Sequence, residues 1–219
     1  MKTYRKSVAV AGALFLAATA AYMSGNALIE SVVGTSDYLA HAADNRDRVI
    51  LGVLLEFLNS AAVVGIAIAL FPILKRCNEK IALGYVAFRA IEAVLLIVGA
   101  IGPLLLVALS REYAASDVPG DLQAIGTLIK EGSSYAFQLG MLALGVYSLA
   151  FCYLLYRFRL VPRALSALGF IGYVALSASA VAELMGHDGM LLYIPGALFE
   201  IALPLWLIVK GVKLPESAR

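Results

Sequence analysis

Arg89 and Glu92 stand three residues apart in GYVAFRAIEAVLL, residues 84–96, in the middle of a long apolar run. A cation and an anion at that spacing share one helix face and can pair. Three further groups of the same kind sit in apolar surroundings: Glu56 and Asn59 in LLEFLNSAAVV, and Glu200 in LFEIALPLW. Tyr85 lies one turn before Arg89 on the same face. Carboxylates, a guanidinium, an amide and a phenol can hold a proton, a cation or the polar head of a small molecule. They can also lock helices together by pairing with each other. Paired carboxylates can do acid–base work. However, no HExxH, GxSxG or Walker sequence accompanies them, so no catalytic residue is assigned.

The charge count sharpens the choice. Glu56, Glu92 and Glu200 are three acids against the single base Arg89. A charged side chain at the centre of a bilayer costs about 2.5–3.5 kcal/mol on the insertion scale. Arg89 is therefore expected to be held by Glu92 or by a glutamate from another helix, and the surplus acids to carry a proton or a cation.

The elements that position these groups follow from hydrophobicity. Of the 219 residues, 62% are hydrophobic and 15% charged, whereas soluble domains average roughly 45–50% and about 25%. A net charge of +2 gives no reason to expect nucleic acid. Six runs reach the length of about 20 apolar residues that a membrane helix needs: Val8 to Ile29, Val49 to Leu74, Ile81 to Leu109, Ser133 to Tyr156, Pro162 to Leu184, and Met190 to Val209. The expected fold is all-α, a polytopic bundle of six transmembrane helices forming one integral-membrane domain over 1–219. Basic residues cluster before the first run (Lys2, Arg5, Lys6), between the second and third (Lys75, Arg76, Lys80), between the fourth and fifth (Arg157, Arg159, Arg163) and after the sixth (Lys210, Lys213, Arg219). The positive-inside rule then puts both termini in the cytoplasm, in the cell (plasma or inner) membrane. The basic start and the Ala-x-Ala near residue 20 also read as a signal peptide. An uncleaved first helix is preferred, because the apolar run continues through YMSGNALI to spanning length.

Between the spans, Ser36 or Asp37 is placed to cap a turn through YLAHAADNRD, and Asp121 to cap LQAIGTLIK. The latter would lie on the membrane surface or extend the fourth span. Cys77 and Cys152 form no CxxC pair, and no structural disulfide is expected. His41, Asp44, Glu183, His187 and Asp188 lack ligand spacing and read as solvated loop groups. No metal or cofactor is expected. Tyr4, Tyr22, Tyr156 and Trp206 read as interface anchors or packing, and Gln138 as an interhelical hydrogen bond.

Helical spacing groups the polar residues into stripes: Glu56 with Asn59; Tyr85, Arg89, Glu92, Leu96 and Gly99; and Tyr193, Ala197, Glu200 and Pro204. Ordered by depth, these stripes suggest one polar column across the central membrane. Pro204 has no N–H to offer the carbonyl of Glu200, which leaves a backbone oxygen beside a mid-span carboxylate. Ala61, Gly65 and Ala69 repeat every four residues and permit close helix approach, within the chain or in an oligomer.

The stretches LGVLLEFLNSAAVVGIAIALFPILK, NEKIALGYVAFRAIEAVLLIVGAI, FRLVPRALSALGFIG and LFEIALPLWLIVKG resemble the bacterial multi-span membrane proteins catalogued as domain of unknown function 4386. The resemblance covers nearly the whole chain. It implies a six-helix fold and puts Glu56, Asn59, Arg89, Glu92 and Glu200 at that family's intramembrane polar positions. It brings no established activity. Three readings stay open on the sequence: a structural or regulatory membrane protein with lipid or protein partners; a small proton-coupled transporter or small-molecule or lipid-binding protein; and an intramembrane enzyme. A continuous water-filled cavity reaching Glu200 would favour the second, a dry and fully paired centre the first, and two close carboxyls near a lipid-accessible opening the third.

Overall fold

The computed structural model describes residues 2–115 and 119–213; Arg219, counted among the basic residues after the last span, lies outside them. The elements are α1 (Lys2–Val33), a short α2 (Tyr38–His41), α3 (Arg46–Cys77), α4 (Glu79–Ala115), α5 (Pro119–Arg157), α6 (Arg163–Leu184), a 3-10 turn (Met190–Leu192) and α7 (Tyr193–Val209). All but α2 and the turn carry apolar stretches long enough to cross a membrane, six helices among the described residues. The chain is a multi-pass membrane protein. Most helices overrun the apolar stretches read from the sequence. Helix α5 absorbs the outer segment from Asp121 to Lys130, so that segment extends the fourth span instead of lying separately.

The turns follow from local chemistry. Asn78 is extended, and its side-chain carbonyl accepts the N–H of Ile81 at 3.1 Å, a side-chain cap on α4. Arg159 ends α5 at φ 52°, and the N–H of Leu160 reaches back to the carbonyl of Leu155 at 3.1 Å. That is a left-handed helix stop of the kind glycine usually occupies. Gly186 plays that part after α6, at φ 80°. Asp37 stands at the start of α2 but makes no capping bond through its side chain. Asp121 falls inside the first turn of α5, which begins at Pro119, so it is not the cap residue expected.

Neighbouring spans pack in chain order, α1 on α3, α3 on α4, α4 on α5, α5 on α6 and α6 on α7, and α7 returns to α1. The result is a closed ring of six helices. Small residues seat the helices closely. A Cβ on Gly52 would lie 2.8 Å from the Gly25 carbonyl oxygen, one on Gly172 would lie 2.8 Å from Cα of Gly196, and one on Gly12 would lie 2.9 Å from the Pro204 carbonyl oxygen. Gly65, in the Ala61/Gly65/Ala69 repeat, faces Leu14 of α1, while Ala61 is exposed.

The two ends of the ring differ. The end that carries Arg5, Lys75, Arg76, Lys80, Arg157, Arg163 and Lys213 is packed solid. A core from Phe15 and Leu70 through Tyr85, Phe151 and Tyr173 to Phe199 and Leu203 draws on all six spans. Arg76 lies over the Tyr4 ring at 4.6 Å and donates to its hydroxyl at 2.6 Å. Arg163 covers Tyr156. At the far end, α2 closes over α1 and α4. Ser110 donates to the Leu39 carbonyl at 2.6 Å and accepts from the N–H of Ala43 at 2.9 Å. Lys130 donates to the Val33 carbonyl at 2.8 Å. Between the solid end and the far end the ring is hollow.

Candidate functional site

The hollow is a cavity of about 560 Å³ to which all six spanning helices contribute. Helix α1 supplies Phe15, Ala18, Thr19, Tyr22 and Met23, and α7 supplies Tyr193, Gly196, Ala197, Glu200 and Ile201. Each set steps along its helix by three and four residues, so each is one face. Arg89, Glu92 and Leu96 come from α4, and Asn59, Val63 and Ile66 from α3. Helices α5 and α6 complete the wall with Gln138, Met141, Leu176 and Glu183 among others. The wall is mostly apolar with a few convergent polar groups, the ordinary make-up of a small-molecule site.

Arg89 and Glu92 pair within α4. Nη1 of Arg89 lies 3.0 Å from Oε2 of Glu92, and both residues are buried, at 4% and 2% exposure. The contact is an ion pair by distance, yet its N–H is not aligned with that oxygen. Oε2 of Glu92 and Nε of Arg89 therefore have no hydrogen-bond partner among the described residues. Such atoms are expensive to leave unmatched in an apolar interior. Glu200, across the cavity on α7, has the Tyr173 hydroxyl 3.5 Å from its Oε1, the outer limit of a hydrogen bond. No Lys or Arg of the described residues forms a salt bridge with it. Glu92 and Glu200, which occupy similar depths in two different spans, thus face the same space.

Nearer the far end, a second polar chain lines the same cavity. The Gln138 amide donates to Oε2 of Glu183, and the Tyr193 hydroxyl donates to Oε1 of Gln138 at 3.1 Å. Glu183 was expected in a solvated loop. It sits instead on the last turn of α6, facing inward, because α6 runs as helix through Leu184. Tyr22, read from the sequence as an interface anchor or packing, packs on Phe137 and lines the cavity. The expected interhelical bond of Gln138 is present.

Glu56 lies apart from Arg89, Glu92 and Glu200. It lines a separate cavity of about 310 Å³ toward the far end, with Asn26, Glu30, Lys130 and Ser133. Tyr22, Asn59, Leu96 and Phe137 border both cavities. A single polar column does not describe this arrangement; the polar groups fall into two chambers with an aromatic pair between them. Tyr85 borders neither cavity. It is buried at 1% exposure in the solid end, stacked on Phe151 with ring centroids 4.8 Å apart, and its hydroxyl has no partner among the described residues. With Tyr173 and Phe199, whose rings meet edge to face at 5.6 Å, that pair forms an aromatic floor under the main cavity. Pro204 is buried in α7 one turn below Glu200, where its carbonyl meets α1 at Gly12. Among the described residues, no three His, Cys, Asp or Glu side chains are grouped to hold a metal ion. Cys77 and Cys152 are both free thiols.

The family model described as Domain of unknown function (DUF4386) matches residues 10–211. No curated protein and no solved structure matches the chain.

Proposed function

The chain belongs to the DUF4386 family, and from its cavity we propose that it is a membrane protein that binds a small amphipathic molecule at the centre of its helix ring. The observation that carries this reading is the cavity of about 560 Å³ that reaches Arg89, Glu92 and Glu200. A polar set that served only to fix helix register would be expected to satisfy itself. Here Arg89 Nε and Glu92 Oε2 are unmatched among the described residues, and polar groups inside a membrane are functional by default. A ligand's polar head would meet these groups, and its apolar body would lie against Val63, Leu96, Met141 and Leu176. With the termini in the cytoplasm of the cell membrane, as the basic end of the ring suggests, the aromatic floor is the cytoplasmic closure. Transport, proton-coupled or not, would require that floor to open.

The structural or regulatory alternative also has an observation in its favour, the closure of the Arg89–Glu92 pair within one helix. One experiment separates the two. The purified protein in maltoside micelles is unfolded thermally with dodecylamine, dodecanoate or dodecanol added. A bound ligand stabilises by about 2.7 kcal/mol at one hundred times its Kd. At least one of the three should raise the midpoint saturably, and filling the cavity with Ala18→Leu should remove the effect. If no probe shifts the midpoint and Ala18→Leu is simply more stable, the polar set is architectural.

A further inference from the structure

Resting on that reading of the chamber, we infer that its ligand is a lipophilic organic cation, that Glu200 is its counter-ion, and that it enters sideways from the lipid between α1 and α7.

The charge of the wall gives the ligand class. The ionisable acids and bases lining the chamber are Glu92, Glu183 and Glu200 against Arg89. Arg89 is taken up by Glu92, on its own helix. Glu183 receives its hydrogen bond from the neutral Gln138 amide, and among the described residues the hydrogen-bond donor to Glu200 is the distant Tyr173 hydroxyl. Glu183, which is partly exposed, and Glu200 thus face the chamber without a salt bridge, and Arg89, the one base of the wall, acts on Glu200 only from beyond salt-bridge distance. A positively charged guest supplies what the wall lacks, whereas an anion would meet an excess of acid. Phe15, Tyr22, Phe137 and Tyr193 also line the chamber, and aromatic side chains suit the same guest because their rings attract cations.

The route follows from exposure. Of all the residues that line the chamber, the exposed ones are Met23, Ala197 and Ile201. All three belong to α1 or α7. Met23 is 66% and Ile201 50% exposed on the outside of the ring. Toward the solid end the same two helices touch at Gly12 and Pro204, so the seam is shut below Glu200, and the exposed lining residues put the route above that contact. Met23, Ile201 and the neighbouring Leu198 and Ile194 make an apolar rim. In a bilayer that rim meets acyl chains, so the molecules that reach it are already dissolved in lipid. Glu200 lies one helical turn from Ala197 and next to Ile201, immediately inside the opening. A guest with a hydrocarbon or aryl body and a positive centre matches both the rim and what lies behind it.

The test uses two ions of one shape and opposite charge, tetraphenylphosphonium and tetraphenylborate. Binding is measured by equilibrium dialysis on the full chain in lipid nanodiscs, against empty nanodiscs. The cation should bind saturably and the anion should not. Glu200→Gln, checked for folding by size-exclusion chromatography, should weaken the cation by about tenfold or more, and Glu200→Asp should retain it. Ala197→Trp should slow uptake from the lipid. Equal binding of both ions by the parent protein, or undiminished cation binding in folded Glu200→Gln, overturns the cation assignment while leaving the chamber as a binding site. An unchanged uptake rate in Ala197→Trp overturns the lateral route. Binding of neither ion, together with no shift by the dodecyl probes, removes the cation assignment and the underlying binding reading together.

Discussion

Tyr22 on α1 stacks on Phe137 on α5, with ring centroids 5.9 Å apart and planes 10° from parallel. The two helices are not neighbours in the ring, so this contact spans its interior. Both residues border both cavities, which makes the pair the partition between the chamber holding Glu200 and the smaller one holding Glu56. Removing one ring should join the two. Tyr22→Ala is expected to let a water-soluble, membrane-impermeant thiol reagent reach a cysteine placed at Leu176 several-fold faster, in a background with Cys77 and Cys152 replaced by serine. Equal labelling rates with and without Tyr22→Ala would show that the stack does not separate the chambers.

Arg89 and Glu92 lend themselves to a double-mutant cycle. Arg89→Leu strands a carboxylate 2% exposed in an apolar interior, and breaking such a pair typically costs about 3–5 kcal/mol. Folded yield and thermal midpoint in detergent should fall sharply. Arg89→Leu combined with Glu92→Leu should recover much of the loss, because it leaves no charge unpaired. A single Arg89→Leu as stable as the parent would mean that Arg89 is solvated.

Gln138 joins Glu183 on α6 to Tyr193 on α7. Gln138→Leu removes the donor from one and the acceptor from the other. Leaving a partly buried polar group unmatched costs about 1–3 kcal/mol. Tyr193→Phe removes one neutral bond and should cost about 0.5–1.5 kcal/mol. Thermal unfolding of both variants and their combination tests the chain. If the two effects add fully, the groups are not coupled.

Reporter fusions after Lys75, Arg159 and Lys213 test the orientation. All three positions belong to the solid, basic end of the ring, and all should report the cytoplasm. A signal from the opposite side at any one of them contradicts the placement of the termini.

Much of the architecture was legible in the sequence because the bilayer is a strict solvent. A helix that crosses it needs about 20 apolar residues, and that requirement alone marks six runs between Val8 and Val209. Arg89, Glu92 and Glu200 stood out for the same reason, being costly where they are. The three-residue separation put Arg89 and Glu92 on one helix face, but whether Arg89 pairs with Glu92 or with a glutamate from another helix was decided by the tertiary structure. Tertiary structure decided what local spacing cannot express. The closing of α7 onto α1 makes a ring, and a ring has an inside; only then do Tyr22, Gln138, Glu183 and Tyr193 meet there. Glu56 and Glu200 could be ordered by depth from residue counts, but the stack of Tyr22 on Phe137 puts them in different chambers. Tyr85 shares a helix face with Arg89, yet the packing of Phe151 against it makes it floor. Periodicity tells which side of a helix a residue is on; which neighbour that side faces is set by the glycine contacts that seat one helix on the next.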